Sequence, residues 1–435
     1  MPEKRNAERR ERYAAAVEQL GNVSAPVRLG GVYTLVSLVD EWLREENIEY
    51  NERVAEGQVI INILCAYIRS PFAFASHYDE LTQESPTAEG LYKNREQEFY
   101  IDKAGLESEK KVRLSIIKEI RHRLQGSKEN TPGTWSDFEY DFSGSIFFYP
   151  VDLTHSYYAK PVNFSGSTYW GEADFSYSTY MDEVYFNKSS YQGRASFNGS
   201  TYQAEADFRS STYRGSAGFA RSTYRGGAYF SGSTYLSEAV FRGSVYRCAA
   251  TFNGSVYHYW VDLRGSTYQG AADFGGSTYQ YWADFRGSTY RRWAYFNDSI
   301  CCGWAGLSHS VYEGEADFSG SIFCDALNFG TDFFGKPFPS RFVQSAPCFV
   351  AEKDARAALF GSSSNNFVVE NSGYSIALGA NGLPLGCGFL STEQADYLAA
   401  KFREVYETRT SLRDSQVPQK RQDLRENLER LIKNI

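Results

Sequence analysis

Several features that mark common classes of protein are missing from this chain of 435 residues. Its five histidines are scattered, and its seven cysteines include no pair separated by two residues, so zinc-site spacing is absent. The sequence has no phosphate-binding loop, dinucleotide fingerprint or nucleophile elbow. Its most apolar stretch, residues 59–68, is too short to cross a bilayer. These absences predict a protein that is not an enzyme, needs no cofactor or metal, and has no membrane span.

The net charge of this sequence is small for its size. The formal net charge is −8 and the isoelectric point is about 5.4. A general nucleic-acid binder needs a basic surface, so direct binding to nucleic acid is not expected. The start of the chain, MPEKRNAERRERY, is charged throughout and carries no secretory signal, and an odd cysteine count suits a reducing compartment. We therefore expect a cytoplasmic protein.

Aromatic residues and glycine, in contrast, are abundant, with 33 Tyr, 31 Phe and 37 Gly, and they belong to a repeat of eleven residues. A Phe or Leu recurs at every eleventh position from Phe142 to Phe329, in eighteen units without an insertion. Ala or Val precedes this residue by two positions in most units. Ser follows it by three positions and Tyr or Phe by five, each in seventeen units, with Cys301 as the aromatic exception.

The spacing within each unit predicts two short strands. Side chains alternate between the faces of a strand, so the Ala/Phe pair and the Ser/Tyr pair are each expected to point inward. The steps between the pairs are corners. Eleven residues cannot close a turn around a Phe and a Tyr, so we expect two units to form a four-sided coil of 22 residues. The array would then contain about nine coils.

This pattern resembles the pentapeptide-repeat family, in which a small residue precedes a central Leu or Phe by two positions. Here AxFxx alternates with SxYxxx, a five-plus-six variant that covers about 45% of the chain. The resemblance implies a mainly β fold, a right-handed quadrilateral β-solenoid with an N-terminal α-helical domain and a C-terminal α+β tail. The helical start, AVEQLGNVSAPVRLGGVYTLVSLVDEW, is similar to the domain that precedes such repeats in actinobacterial proteins.

We divide the chain into a helical domain (1–125), a linker (126–137), the solenoid (138–334) and a tail (335–435). Helical periodicity predicts helices over 8–20, 25–43, 53–69 and 107–124. They form either HEAT-like units or a cap over the first coil.

Strands are expected in the tail at NNFVVE and YSIALG, followed by a helix from Thr392 to about Tyr406 behind a capping box of Ser391 and Gln394. A last helix, Pro418–Ile435, carries an apolar stripe that either packs on the body or forms a homodimer seam.

Two kinds of repeated side chain could carry chemistry. The first is an outward Asp one position before the central Phe, which fits either paired acid–base carboxylates or a solvated face. Its members are Asp141, Asp152, Asp174, Asp207, Asp262, Asp273, Asp284 and Asp317. The second is Cys302 and Cys324, which lie 22 residues apart, so on adjacent coils they could form a redox pair or remain free thiols.

The most informative irregularity lies between residues 242 and 304. Two units read HYWVDLRGSTYQ and QYWADFRGSTYR, which predicts aromatic, acidic and basic rows on adjacent coils, with Tyr259 stacked on Tyr281 and Trp260 on Trp282. The rows comprise Tyr259, Trp260, Tyr281, Trp282 and Trp304; Asp262 and Asp284; and Arg242, Arg264 and Arg286. Trp, Tyr and Arg dominate binding hot spots, so this is a candidate partner-binding surface. A ladder that only stabilises the corner, or a surface covered by the tail, are the alternatives.

The function expected from these features is that of a non-catalytic scaffold that presents a rigid solenoid surface to a protein partner. The family resemblance implies a second hypothesis, a DNA mimic that modulates DNA gyrase or another topoisomerase. The Asp row is interrupted and interleaved with Arg, which argues against a continuous negative stripe. An enzyme in the tail is the third hypothesis and has the least support.

Overall fold

The structure is a computed structural model that describes residues 2–351 and 355–414. The repeat region is a parallel β-solenoid of about nine turns with about 22 residues per turn, as the repeat predicts. The chain divides into two compact units. The first comprises residues 1–87, 91–196 and 200–204, and the second comprises residues 88–90, 197–199 and 205–435.

Helices occupy the N-terminal part of the first unit. They are α1 (Pro2–Leu20), α2 (Ala25–Leu43), α3 (Tyr50–Arg69), a 3-10 turn (Ala73–His77), α4 (Tyr78–Leu81) and α5 (Glu96–Leu124). The last is longer than the predicted helix over 107–124, because its first turn carries Glu96 and Glu98, which favour a helix N-terminus. Among the described residues no single helix is long and apolar enough to cross a membrane, although α3 with Ala73–Leu81, bent by 41°, meets that test as a pair.

The helices of the first unit pack on its first coil, in line with the capping interpretation. Gln58 of α3 donates to the carbonyl of Glu139 at 2.8 Å and accepts from its amide at 2.9 Å. Gln125, which follows α5, donates to the carbonyl of Thr154 at 2.9 Å. Side chains of the helical region therefore satisfy these three backbone groups, which no preceding coil can reach.

The solenoid strands are two residues long and form four columns, one for each side of a coil. In the first unit they are β1 (Tyr140–Asp141), β5 (Val162–Asn163) and β9 (Val184–Tyr185) in the first column; β2 (Ile146–Phe147), β6 (Thr168–Tyr169) and β10 (Ser190–Tyr191) in the second; β3 (Val151–Asp152), β7 (Ala173–Asp174) and β11 (Ala195–Ser196) in the third; and β4 (Tyr157–Tyr158), β8 (Thr179–Tyr180) and β12 (Thr201–Tyr202) in the fourth.

The second unit repeats the four columns. The first holds β13 (Ala206–Asp207), β17 (Ala228–Tyr229), β21 (Ala250–Thr251), β25 (Ala272–Asp273), β29 (Ala294–Tyr295) and β33 (Ala316–Asp317). The second holds β14 (Thr212–Tyr213), β18 (Thr234–Tyr235), β22 (Val256–Tyr257), β26 (Thr278–Tyr279), β30 (Ile300–Cys301), β34 (Ile322–Phe323), β37 (Leu359–Phe360) and β38 (Gly388–Phe389). The third holds β15 (Ala217–Gly218), β19 (Ala239–Val240), β23 (Val261–Asp262), β27 (Ala283–Asp284), β31 (Ala305–Gly306) and β35 (Leu327–Asn328). The fourth holds β16 (Thr223–Tyr224), β20 (Val245–Tyr246), β24 (Thr267–Tyr268), β28 (Thr289–Tyr290), β32 (Val311–Tyr312) and β36 (Arg341–Phe342).

The register between coils is 22 residues, as expected from two repeat units per coil. Tyr213 pairs with Tyr235, and their rings stack with centroids 4.8 Å apart. The inward Phe residues stack in the same way, with Phe208 and Phe230 at 4.9 Å. Both ring types are fully buried, so the predicted inward pairs form the core. Burial raises the pKa of the Tyr235 hydroxyl well above its ordinary value.

The serine of each repeat closes a hydrogen-bond ladder between coils. Ser255 Oγ donates to the carbonyl of Phe230 at 3.1 Å and accepts from the amide of Ser233 at 3.2 Å. The same two bonds recur along both units. A hydroxyl on a short side chain can both donate and accept a hydrogen bond in this confined space. This explains why Ser is nearly constant at this position of the repeat.

The C-terminal part of the second unit continues the solenoid irregularly. Strands β36, β37 and β38 extend the fourth and second columns. The two strands expected in the tail form only isolated β-bridges. NNFVVE contributes bridges at Asn366 and Val369, and YSIALG contributes one at Leu378. The capping box is present, because Ser391 and Gln394 exchange hydrogen bonds at 2.9 and 3.2 Å, and it opens α6 (Thr392–Asp414). The expected last helix, 418–435, lies outside the described residues.

Candidate functional site

The aromatic residues singled out in the sequence lie in the second unit, at the corner between the second and third columns. Three corners of three residues each, 258–260, 280–282 and 302–304, follow one another on adjacent coils. Val261 donates its amide to the carbonyl of Trp282 at 2.9 Å, and Ala283 donates to that of Trp304 at 3.0 Å. The backbone ladder therefore fixes the three tryptophans in one row.

The rings in this row do not all stack as expected. Tyr259 and Tyr281 do stack, with centroids 5.5 Å apart and planes within 3°. The indoles of Trp260 and Trp282, however, make no ring contact with each other among the described residues, so that part of the expectation is wrong. Trp282 instead packs against Phe333 at 5.2 Å, and Trp304 meets the same ring edge-on at 6.1 Å.

Phe333 comes from an insertion that the sequence did not mark as part of the site. Ser310 bonds to Ser340, 30 residues later instead of 22, so this coil is eight residues longer than the others. The additional residues form a loop in which Asp332 Oδ1 accepts the amides of Phe334 at 2.9 Å and Lys336 at 2.8 Å. The loop holds two adjacent phenylalanines beside the tryptophan row. The sequence signal, FF bounded by Asp and Gly directly after the last regular unit, was available.

Together these residues line a groove of about 350 Å³ that we call the aromatic groove. Its lining comprises Trp260, Val261, Asp262, Arg264, Trp282, Asp284, Arg286, Trp304, Phe333 and Phe334. Much of this lining is open to solvent, since Trp282 is 41% exposed and Phe334 is 91% exposed. The part of the chain that the structure describes therefore borders the groove without covering it.

A ladder of alternating charges forms one side of the aromatic groove. Arg264 binds Asp262 through two hydrogen bonds of 2.9 and 2.8 Å, and Arg286 binds Asp284 in the same way at 2.8 and 2.6 Å. Arg242 approaches Asp262 at 3.7 Å, and Arg264 approaches Asp284 at 3.5 Å. The predicted acidic and basic rows are thus one interlocked network.

The electrostatics of this network favour permanently charged guanidinium groups. The hydrogen bonds to Asp262 raise the pKa of Arg264, against the opposing effect of burial. Arg286 also lies over the ring of Trp304, 5.1 Å from its centroid. These charged side chains are therefore held in place by contacts within the chain.

The outward Asp residues have a structural role at the corners. All eight accept a hydrogen bond at Oδ1 from the amide two residues further along the chain. The donors are Ser143, Thr154, Ser176, Arg209, Arg264, Gly275, Arg286 and Ser319. Asp207 and Asp262 are buried instead of solvated. Among the described residues no three His, Cys, Asp or Glu side chains are grouped so that they could hold a metal ion.

The two cysteines proposed as a redox pair lie on adjacent coils, as expected from their spacing. Ile300–Cys301 pairs with Ile322–Phe323, which puts Cys302 and Cys324 at equivalent positions. Both are free thiols here. A hydrogen bond from Cys302 to Cys324, together with burial, raises the pKa of Cys302. A redox role for the pair stays a prediction.

Comparison with protein-family models, with curated proteins and with solved structures finds no match for this chain.

Proposed function

We propose that this chain is a non-catalytic scaffold with a solenoid of the pentapeptide-repeat type, and that it binds a protein partner through the aromatic groove. The observation that carries the proposal is the combination of exposed Trp and Phe rings with Arg side chains in one groove. These residue types dominate the energetics of protein interfaces.

The preorganisation of the groove supports binding. Each tryptophan is fixed by the ladder between coils, the two phenylalanines sit on a loop closed by Asp332, and each guanidinium is paired. Side chains that are ordered before association lose little conformational entropy when a partner docks. The exposed aromatic rings would also bury a large apolar area on association.

The corner aspartates argue for binding over catalysis. Their Oδ1 atoms are occupied by backbone amides, and Asp262 and Asp284 also accept guanidinium groups. A general acid or base must exchange a proton with the substrate during the reaction. Carboxylates used in this way by the fold are poor candidates for that role.

Mimicry of DNA by an acidic surface is the alternative function, and the charge pairing gives it less support. Asp207, Asp262 and Asp284 each bind an arginine through a pair of hydrogen bonds, which neutralises three of the eight outward carboxylates that would have to imitate phosphates. We expect no effect of the purified chain on supercoiling by DNA gyrase. Inhibition at equimolar chain would favour the mimicry hypothesis.

Affinity purification from the source organism with paired variants tests the scaffold proposal. Trp260→Ala combined with Trp282→Ala removes two rings of the groove, and we expect retention of the partner to fall at least about tenfold. Tyr374→Ala is the control, because Tyr374 is an aromatic residue of the same unit that is 52% exposed and does not line the aromatic groove. Circular dichroism verifies that all variants fold. Equal retention by the double variant and the control would refute the proposal.

A further inference from the structure

A second groove runs along another corner of the second unit, between the fourth and first columns. Its wall is a row of side chains that directly follow the buried tyrosines, namely Arg247, Gln269 and Arg291. Arg225 continues this row on the coil before Arg247. Arg247 donates its amide to the carbonyl of Tyr224 at 2.8 Å, and Arg291 donates to that of Tyr268 at 2.9 Å. Each step along the row is therefore one coil, or about 4.8 Å.

The floor of this groove is made of small residues. Cys248, Ala249, Gly270 and Ala271 line it, together with Arg292 and Trp293, around a volume of about 720 Å³. A Cβ at position 270 would lie 2.4 Å from the backbone of Cys248, so only glycine fits there. We call this feature the basic groove, because no acidic side chain lines it.

The arginines of the basic groove differ from those of the aromatic groove in having no partners. Among the described residues, none of the guanidinium groups of Arg225, Arg247, Arg291 and Arg292 forms a hydrogen bond or an ion pair. All four are exposed. Arg225 and Arg247 occupy equivalent positions on adjacent coils, where like charges repel. Although the net charge of the chain is −8, these four guanidinium groups lie at one corner without an ion-pair partner among the described residues.

We propose that the basic groove binds a short, extended acidic segment of a protein. Guanidinium groups bind carboxylates in a fork geometry, and a floor of Gly and Ala lets a peptide backbone approach closely. The exposed ring of Trp293 offers an apolar platform within the groove. This inference does not rest on the proposed role of the aromatic groove, which lies at a different corner.

The ends of the basic groove limit the length of its ligand. Within the second unit, the row of corner residues that contains Ala249, Ala271 and Trp293 has Glu205 near one end and Glu315 at the other, and Glu313 follows Arg291 on the next coil. From Arg225 to Arg291 the row spans three coils, about 14 Å, which matches about four residues of extended peptide. A nucleic-acid strand continues beyond this length and would meet a carboxylate at either end. The charge pattern therefore favours a short acidic peptide.

Fluorescence anisotropy with the full chain tests the proposal. The probe is a fluorescein-labelled hexaglutamate, compared with its hexaglutamine counterpart and with labelled dodecathymidylate. We expect hexaglutamate to bind, the other two to bind at least tenfold more weakly, and the affinity to fall as salt rises from about 0.05 M to about 0.3 M.

Charge-matched variants locate the binding. Arg247→Gln with Arg291→Gln should weaken hexaglutamate at least tenfold, whereas Arg10→Gln with Arg221→Gln, which removes two exposed arginines outside the groove, should change it less than twofold. Circular dichroism checks the fold of both. Equal effects of the two double variants, or equal binding of hexaglutamine, would overturn the proposal. Tighter binding of dodecathymidylate would also overturn it, in favour of a nucleic-acid site.

Discussion

At the scale of single residues, the repeat serine connects one coil to the next. Replacing Ser255 by Ala leaves the buried amide of Ser233 and the carbonyl of Phe230 without their partner. Each unsatisfied buried group costs about 1–3 kcal/mol, so we expect a loss of about 2 kcal/mol or more in the free energy of unfolding. Urea denaturation followed by circular dichroism measures it.

Ser237→Ala is the control for this prediction. Ser237 is a half-buried corner serine in the same unit, and its hydroxyl bonds to no described residue. We expect its substitution to change the unfolding free energy by less than about 0.5 kcal/mol. If both variants unfold at the same urea concentration, the serine ladder is not a source of stability.

The inward residues could be predicted from spacing, but the roles of their polar neighbours could not. Alternation along a strand identified Ala, Phe, Ser and Tyr as buried. It could not indicate that each outward Asp accepts a hydrogen bond from the backbone amide two residues later. That bond depends on the conformation of the corner, which the hydrophobic pattern does not specify. Asp262 was expected on the surface and is buried, since Arg264 folds back over it.

At the scale of elements, the corners explain where glycine is obligatory. At the basic groove, residues 248, 270, 292 and 314 alternate between a side chain and glycine. A Cβ at Gly314 would lie 2.4 Å from the backbone of Arg292, the same distance that a Cβ at Gly270 would have from Cys248. Each glycine therefore makes room for the coil before it.

Two glycine substitutions separate this steric requirement from backbone strain. Gly270→Ala brings a methyl group into the Cys248 backbone, whereas Gly265→Ala meets nothing within 4 Å and only strains a residue with φ of +64°. We expect Gly265→Ala to cost about 1 kcal/mol and Gly270→Ala about 2 kcal/mol more. Urea midpoints of the two variants give the comparison. Equal losses would mean that the corner relaxes to admit a side chain.

Elements outside the regular repeat could be predicted only where the residues that determine them are close together in sequence. The capping box before α6 was found because Ser391 and Gln394 are close in sequence. The tail strands were overestimated, because their register with the solenoid depends on insertions of irregular length. Phe333 was overlooked as a site residue for the same reason: its loop is defined by the bond between Ser310 and Ser340.

At the scale of the whole molecule, the second unit carries two surfaces with different uses of arginine. In the aromatic groove Arg264 and Arg286 are paired and surround exposed rings. In the basic groove Arg247 and Arg291 are exposed and form no ion pair with any described residue. The first arrangement suits a partner with an apolar contact surface, and the second suits an acidic segment. If both proposals hold, one chain contacts two partners or two regions of one partner.

Photo-crosslinking in the source organism tests most directly whether the aromatic groove is a partner interface. A benzoylphenylalanine replaces Phe334, which is 91% exposed at the groove, or Val368, which is 63% exposed elsewhere in the same unit. We expect one discrete protein adduct at position 334, its loss when Trp260→Ala and Trp282→Ala are added, and no adduct at position 368. The same adduct at both positions, or an adduct at 334 that survives the two Trp substitutions, would contradict the proposed function.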